Sequence, residues 1–313
     1  MRVGFIGAGA IARSHLGILA DLPDVSVAAV CDLSPAVAEE TAAAAGAAAY
    51  GDPGAMLASE ELDAVFVCTP PGAHLAAAKP VFERGLPVYL EKPLARTVAD
   101  GEAIVDAWRE SGVVCAVGYQ WRSLEVLDRV RAELGSDPPG LVVSRGIGPA
   151  QRGRTSSWFE DARASGGVLF ELASHDVDLQ RAVAGPVAEV QASAAGGLLA
   201  TAAAGAPDLD DTVAVVMRFA GGGIGIVALG WTDAQDPPVY SLDVMAADVA
   251  LRLDLAGAAN PRRASIARFL DAAAGAGQSA VACSPQDALG TLRVALAAER
   301  SVATGERIAV DGG

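Results

Sequence analysis

The N-terminal run GFIGAGAIA constrains the fold more than any other stretch of this sequence. It places Gly7 and Gly9 between an apolar, strand-like run and a helical pattern, with the small Ala12 following Gly9 at the third position. In this spacing the first glycine permits a tight turn, the second lets the backbone approach a pyrophosphate, and the small residue allows close helix–strand packing. The pyrophosphate would meet the N–H groups of Ala10 and Ile11 at the positive end of the helix dipole. The run therefore predicts a dinucleotide-binding loop.

A carboxylate follows the second predicted strand. The segment VSVAAVCD indicates that strand, and Asp32 ends it 23 residues after Gly9. An acidic residue about 20 positions beyond the glycines binds ribose hydroxyls in dinucleotide-binding folds. Because a 2′-phosphate would meet like charge there, and no arginine follows in DLSP, Asp32 favours NAD over NADP as the cofactor. An ordinary strand-end cap is the alternative interpretation.

Two patterns divide the chain. The first 120 residues alternate short apolar runs, such as DAVFVCTP and PVYLEKP, with helical patterns, which is typical of parallel strands covered by helices on both faces. Beyond Gly118 come helical stretches and strand-like runs with turn signals, among them the alternating ALRLDL. We therefore predict an α/β chain. A Rossmann domain with a doubly wound parallel sheet is expected over residues 1–120, and an α+β domain over 121–313.

Composition narrows the classes of partner. A net charge of −15 over 313 residues lacks the excess of Lys and Arg that neutralises phosphates, so we predict no nucleic-acid and no membrane partner. The four cysteines form no CxxC pair, and we expect reduced core residues of a cytoplasmic protein. The three histidines lack ligand spacing, so no metal site is predicted.

Two polar motifs fall at predicted strand ends. Ligands of doubly wound sheets bind outside the carboxyl ends of the strands. CTPPGAH and LEKP occupy such ends, so these residues are predicted to face the cofactor: Thr69, Pro70, His74, Glu91 and Lys92. Lys92 is one of only two lysines in the chain, and the other lies within a predicted helix where we expect it to be solvated. A lysine, unlike an arginine, can release a proton near neutral pH.

A third cluster lies in GGVLFELASHDVDLQR, residues 166–181. Glu171 and His175 are four positions apart, and Asp178 follows three positions later. On a helix these side chains share one face. A Glu–His pair that a cofactor can reach is able to relay protons. A surface histidine between acids is the alternative, and the residues alone leave both open.

The motifs together resemble the Gfo/Idh/MocA family of oxidoreductases. The glycine loop, CTPPGAH, EKP, GYQWR and SGGVLFELASHDVDL occur in the order and rough spacing of that family, over nearly the whole chain. The resemblance implies a Rossmann domain followed by an α+β domain whose open, largely antiparallel sheet makes homodimer or homotetramer contacts. It also implies an NAD- or NADP-dependent dehydrogenase or reductase acting on CH–OH groups of sugars, cyclitols or their derivatives, which are polyhydroxylated small molecules.

The resemblance also implies roles for individual residues. Lys92 would bind the reacting oxygen and stabilise an alkoxide, and His175 would exchange the hydroxyl proton. Glu171 stands where family members usually have Asp, so it keeps a carboxylate on a longer arm and is the third catalytic candidate. Arg122 matches an arginine of the family, and with Gln120 it is predicted to contact substrate.

An arginine-rich loop, RGIGPAQRGRTSSWF, precedes the third cluster. It carries Arg145, Arg152 and Arg154 and no acid. One interpretation is that this loop binds an anionic part of the substrate, with Arg154 as the contact. The other is pairing with acids of the same chain or of a neighbouring subunit. Trp158 is predicted to stack on a sugar ring, with a core position as the alternative.

Two further functions share this cofactor site. The fold can serve as a non-catalytic, dinucleotide-dependent sensor, or it can reduce a substrate that is not a sugar. The presence of both Lys92 and His175 favours an enzyme over a sensor.

Overall fold

The computed structural model describes residues 1–135, 137–149, 167–196, 210–232, 239–256 and 260–311. The chain folds as two compact units. The first contains residues 1–119 and 262–289, and the remaining described residues belong to the second. The sequence-based division falls at residue 120, whereas in the structure the first unit also takes up residues from the C-terminal part of the chain.

A six-stranded parallel sheet forms the centre of the first unit, in the order β3-β2-β1-β4-β5-β6. The strands are β1 (Arg2–Ile6), β2 (Ser26–Cys31), β3 (Ala48–Tyr50), β4 (Ala64–Val67), β5 (Val88–Leu90) and β6 (Cys115–Val117). The helices between them are α1 (Ala10–Leu19), α2 (Pro35–Ala45), α3 (Pro53–Ser59), α4 (His74–Glu83) and α5 (Val98–Ser111). The order reverses between β1 and β4, which confirms the predicted doubly wound sheet and places the ligand crevice at their carboxyl ends.

Local signals set the helix boundaries of this unit. Ser34 is the N-cap of α2 and Pro35 its first residue, as the sequence predicts. Before α5, Thr97 accepts a hydrogen bond from the N–H of Asp100, and Gly112 ends the helix with a positive φ of 67°. Neither β3 nor α3 was predicted; β3 is a three-residue strand of Ala, Ala and Tyr, which carries no periodic pattern.

Aromatic rings form the core beneath the sheet of the first unit. Phe5 of β1 stacks on Phe66 of β4 with ring centroids 4.9 Å apart, and Phe66 stacks on Tyr89 of β5 at 5.2 Å. Phe269 packs edge-on against Phe66 and Tyr89, at 5.5 Å from each. Phe269 belongs to helix α8 (Pro261–Asp271), so this packing joins the later segment to the first unit.

The second unit contains a seven-stranded sheet in the order β12-β11-β7-β10-β9-β8-β13. Only β7 and β10 pair in parallel among its described strands, which confirms the largely antiparallel sheet. The strands are β7 (Leu141–Pro149), β8 (Val187–Ala195), β9 (Thr212–Phe219), β10 (Ile224–Thr232), β11 (Val239–Met245), β12 (Ala250–Asp254) and β13 (Ile308–Ala309). The other helices of the chain are α6 (Glu125–Leu134), α7 (Ser174–Ala184) and α9 (Pro285–Thr304), and a π-helical turn, Leu169–Ala173, precedes α7.

Neither a membrane span nor a metal cluster is found in the described ranges. No helix there combines the length and the apolar character that crossing a bilayer requires. Within the same ranges no three His, Cys, Asp or Glu side chains are grouped to bind a metal ion.

Candidate functional site

The loop between β1 and α1 has room for a pyrophosphate. Gly7 has a φ of +92°, and a Cβ at this position would lie 2.7 Å from the backbone of Cys68, so a glycine is needed there. Gly9 is the N-cap of α1, and a Cβ placed on it would meet nothing within 4 Å. Because no side chain caps α1, N–H groups of its first turn are available to an anion. Ala10, Ile11 and Ala12 form the first turn of α1, as the sequence predicts, and their contact with a pyrophosphate stays a prediction.

Two polar side chains beside this loop suit the rest of a dinucleotide. Asp32 follows β2 and accepts hydrogen bonds from the backbone N–H groups of Ala8 and Ser34, both at 2.9 Å. A carboxylate held in this way keeps further lone pairs for ribose hydroxyls. Thr69 follows β4, where its buried hydroxyl oxygen has no hydrogen-bond partner among the described residues. An unsatisfied buried hydroxyl in the crevice fits a site that binds a polar cofactor.

His74 lies in the interior of the first unit, where its ring contacts backbone carbonyls. It begins α4, it is fully buried, and its ring nitrogens lie 2.9 Å from the carbonyl of Thr69 and 3.2 Å from that of Leu94. Burial lowers the pKa of His74 more than these carbonyl contacts raise it. The ring thus contacts both the CTPPGAH segment, which includes Pro70, and the residues that follow Lys92.

Lys92 comes directly after β5 and is half-buried. The preceding Glu91 is only 7% exposed, and its carboxylate has two partners. Oε1 lies 2.6 Å from Nε2 of His15, and Oε2 accepts the backbone N–H of Lys92 at 3.2 Å. Burial by itself would raise the pKa of Glu91, but the hydrogen bond and charge of His15, with the nearby charges of Lys92 and Arg262, lower it to about 2. Glu91 is therefore ionised inside the unit.

His15 is a site residue that the sequence analysis missed. It lies in the middle of α1, 76 positions from its partner Glu91, and no local pattern connects the two. The predicted contact between Glu91 and a cofactor ribose stays a prediction, since the structure gives both carboxylate oxygens partners within the protein.

Glu171 and His175 lie in the second unit. Glu171 belongs to the π-helical turn and His175 to the first turn of α7, and both are half-buried. The two residues therefore do not lie on one regular α-helix, because the segment widens to a π-helical turn over Leu169–Ala173. Such turns occur frequently at functional sites, since they redirect the side chains that follow.

Charged and hydroxyl groups anchor α7 on one side. Arg122 donates from Nε and Nη2 to the two carboxylate oxygens of Asp178, at 2.6 and 2.8 Å. Thr291 of α9 donates to the same carboxylate at 2.7 Å, and Arg181 donates to the Thr291 hydroxyl at 2.7 Å. Arg122 is 9% exposed, so the structure gives this predicted substrate contact a bidentate ion pair that fixes the helix carrying His175.

On its other side α7 meets the sheet through neutral partners. Gln180 donates to the hydroxyl of Ser144 at 2.9 Å and to the carbonyl of Ile226 at 2.8 Å. Asp176 is 5% exposed. Burial raises its pKa to about 7, although a hydrogen bond with Ser144 opposes the shift. Asp176 directly follows His175 in the sequence, and sequence reasoning did not single it out.

The remaining predicted substrate contacts have different surroundings. Gln120 is half-buried, and the neighbouring Trp121 lies 5.9 Å from Tyr240, centroid to centroid. Arg145 lies in β7 with an exposed side chain, 3.5 Å from Asp243, which agrees with the pairing interpretation for this residue. Arg152, Arg154 and Trp158 lie outside the described residues.

Comparisons with known proteins agree with the geometry. The sequence profile described as "Oxidoreductase family, NAD-binding Rossmann fold" matches residues 1–119, and that of the "GFO/IDH/MocA C-terminal domain" matches residues 142–248. The chain is similar to myo-inositol 2-dehydrogenase of Thermotoga maritima, with 26% identity over 78% of this chain and 71% of the relative. It is 32% identical to 4-carboxy-2-hydroxymuconate-6-semialdehyde dehydrogenase of a Sphingobium species, over 63% of this chain and 62% of the relative.

A solved structure shares the whole fold. The WlbA dehydrogenase of Bordetella pertussis, in complex with NADH and UDP-GlcNAcA, is 25% identical. The alignment covers 100% of this chain and 99% of that one, with a TM-score of 0.83. With both domain profiles matched in order, this chain belongs to the Gfo/Idh/MocA family of NAD-binding oxidoreductases.

Proposed function

We propose that this protein is an NAD-dependent dehydrogenase of a sugar, a cyclitol or a sugar derivative, with Lys92 and His175 handling the reacting hydroxyl. The observation that carries the proposal is the position of Lys92. It follows β5 at the same carboxyl edge of the parallel sheet as the Gly7 loop and Thr69. Because ligands of doubly wound sheets bind at this edge, the position of the amine supports a role beside a bound nicotinamide.

The protein's part in the reaction is to handle charge and a proton. NAD, when bound, supplies the hydride acceptor, and its reduced form supplies the donor. As a C–H bond of the carbinol carbon breaks, the Lys92 ammonium stabilises the alkoxide that develops on oxygen. His175 takes the hydroxyl proton, and in the reverse direction it returns that proton to the carbonyl oxygen. Glu171, in the turn that precedes His175, supplies a carboxylate that favours the protonated imidazole.

The cofactor preference rests on Asp32. Its carboxylate is fixed by two backbone N–H groups beside the glycine loop and offers oxygens to both ribose hydroxyls. A 2′-phosphate at the same place would meet this negative charge. We therefore propose NAD rather than NADP as the physiological cofactor.

The substrate class is tested by assaying turnover with NAD and with NADH. The panel contains inositols, aldoses, keto-sugars and nucleotide sugars, with an aromatic-acid semialdehyde as the representative of substrates that are not sugars. Formation or loss of reduced nicotinamide is followed by absorbance, and NADH binding is measured separately by fluorescence. We expect turnover with a polyhydroxylated compound.

Two results of the panel would contradict the proposal. Tight NADH binding without turnover of any compound would indicate a dinucleotide-dependent sensor. Turnover confined to the semialdehyde would assign the same cofactor site to a substrate that is not a sugar, as in the Sphingobium relative.

We also propose that the second unit self-associates through the outer face of its sheet. The registers of β7, β9, β10 and β11 bring five exposed apolar side chains to one face: Ile147, Val216, Ile224, Val239 and Met245. Large apolar side chains exposed together on one face of a sheet favour an interface with a second copy. Light scattering should give a dimer or tetramer for the wild-type protein and a monomer for Val216→Asp, and a wild-type monomer would refute the proposal.

A further inference from the structure

We propose that His15 and Glu91 act as positioning residues for Lys92, and that they couple the dinucleotide-binding helix α1 to the lysine. The inference rests on the proposed catalytic role of Lys92. All three residues belong to the first unit. The coupling consists of two consecutive hydrogen bonds, from His15 to the Glu91 carboxylate and from the Lys92 backbone N–H to the same carboxylate.

His15 begins this chain of contacts. It lies on α1, the helix whose first turn faces the pyrophosphate loop, and its side chain is fully buried. The ring lies 5.4 Å from Tyr89 and 6.0 Å from Phe66, so neighbouring aromatic rings fix its plane. Among the described residues no group hydrogen-bonds its Nδ1, and its one hydrogen bond runs from Nε2 to Glu91 at 2.6 Å. A displacement of α1 is therefore passed on to the Glu91 carboxylate.

Glu91 connects that ring to the lysine. Its Oε2 accepts the Lys92 N–H at 3.2 Å, which fixes the peptide from which the lysine side chain extends. Gly118 leaves the carboxylate little space on another side, since a Cβ there would lie 3.2 Å from both oxygens. The carboxylate is thus held by a hydrogen bond on each oxygen and by close backbone packing.

Catalysis requires that the Lys92 ammonium is positioned precisely, and this is the energetic reason for the two hydrogen bonds. A displacement of a catalytic group by about 1 Å can cost about a hundredfold in rate. The lysine side chain has four rotatable bonds, so a fixed backbone origin reduces the volume that its ammonium samples. Because His15 keeps Glu91 ionised, the carboxylate remains a strong acceptor for the Lys92 N–H.

The test compares three variants with a matched control in the same core. His15→Leu removes the donor, Glu91→Gln removes the charge, and Gly118→Ala crowds the carboxylate without changing its chemistry. Ser265→Ala is the control, because it removes the buried hydrogen bond of 3.1 Å to Tyr89 without touching Glu91. We expect each of the three variants to lower kcat about tenfold or more with less than about a twofold change in NADH Kd, and the control to keep wild-type kcat.

A second measurement does not depend on turnover. Lys79 and Lys92 are the only lysines, so a protein labelled with 13C-lysine gives two sets of side-chain signals. Lys79 is 59% exposed and serves as the internal reference. We expect the Lys92 signals in the wild type to be dispersed and motionally restricted, and to approach those of Lys79 in His15→Leu and Gly118→Ala. His15→Gln, whose amide nitrogen can replace Nε2, should restore both the restricted signals and most of the kcat.

The outcomes separate this inference from the proposed function. Unchanged Lys92 signals and unchanged kcat in Glu91→Gln and Gly118→Ala would overturn the positioning role. A wild-type protein that turns over no substrate, yet shows the expected lysine signals, would refute the proposed function and leave the contact itself established. If His15→Leu does not fold, His15→Gln against Gly118→Ala decides the question: equal kcat and equal Lys92 signals in the two would refute the inference.

Discussion

Glu91 in the first unit and Asp176 in the second are both carboxyl groups beside proposed catalytic residues, and they are 7% and 5% exposed. Their pKa values nevertheless shift in opposite directions from the ordinary values of these carboxyl groups. The pKa of Glu91 is lowered to about 2, whereas that of Asp176 is raised to about 7. Burial raises both values, so burial alone cannot account for the difference.

The partners of the two groups explain it. Glu91 accepts a hydrogen bond from His15 at 2.6 Å and is near the positive charges of Lys92 and Arg262, whereas Asp176 has the neutral hydroxyl of Ser144. A buried carboxylate stays ionised where a cationic partner offsets its desolvation, and it holds a proton near neutral pH where only neutral partners are present. In the first unit, therefore, an ionised carboxylate contacts the backbone of Lys92. In the second unit, a carboxyl group that titrates near neutral pH follows His175 in the sequence.

The largest effect is expected from breaking a third buried carboxylate pair. Arg122→Ala leaves the Asp178 carboxylate buried without its bidentate partner, and we expect a loss of about 3–5 kcal/mol in the free energy of unfolding. Urea denaturation at neutral pH measures it. Arg122→Lys, which keeps a positive charge but not the two-pronged geometry, should recover part of this loss. A loss below about 1 kcal/mol in Arg122→Ala would show that the pair is not needed to fix α7.

His15→Leu removes the hydrogen-bond partner of Glu91, and the pKa of Glu91 should then be raised, as that of Asp176 is. In the wild type, Glu91 has a lowered pKa, so its stabilising effect is present above its ordinary value of 4.5 and is lost as pH falls through about 2. In His15→Leu burial dominates and raises the pKa, so stability then declines as pH rises. We expect a loss of about 2 kcal/mol at about pH 8 and a smaller one at about pH 5. An equal loss of stability at about pH 5 and at about pH 8 would contradict the conclusion that His15 keeps the pKa of Glu91 low.

Neutralising Asp176 should change the stability in the opposite direction. Its raised pKa means that the folded protein binds this proton more tightly than the unfolded chain, so stability declines between the ordinary value of 3.8 and about 7. Asp176→Asn removes that penalty, and we expect the variant to gain about 2–3 kcal/mol over the wild type at about pH 8 relative to about pH 5, since each pH unit of this range contributes about 1.4 kcal/mol. Thermal unfolding across this range measures the difference, and parallel curves for the two proteins would rule out the raised pKa.

The smallest effect is expected at an exposed pair. Arg131 lies 3.1 Å from Asp128 on α6, with side chains 44% and 61% exposed. Arg131→Ala should change the free energy of unfolding by less than about 0.5 kcal/mol, because solvent screens the pair. This variant is the matched control for Arg122→Ala. A similar loss in both would mean that burial does not distinguish these ion pairs.

The sequence predicts features that depend on neighbouring residues. Gly7, Gly9 and Asp32 were found because a tight turn, a helix start and a strand end follow one another in the chain. The alternation of apolar runs and helical patterns likewise predicted the parallel sheet, and the structure confirms it.

Contacts between distant residues escaped prediction. His15 and Glu91 are 76 positions apart, and Arg122 and Asp178 are 56 positions apart. Their pairing depends on how strands and helices pack, which local periodicity does not record. The π-helical turn before α7 was also missed, since its extra residue per turn leaves no mark in an apolar pattern.

The most direct test of the account compares the two lysines. Lys92→Met and Lys79→Met each remove one positive charge, but Lys79 pairs only loosely with Glu83, at 4.0 Å, on an exposed helix face. With a polyhydroxylated substrate and NAD at saturation, we expect Lys92→Met to lose about a thousandfold in kcat while it still binds NADH, and Lys79→Met to match the wild type. A Lys92→Met protein with kcat within about tenfold of the wild type would contradict the central role of this lysine.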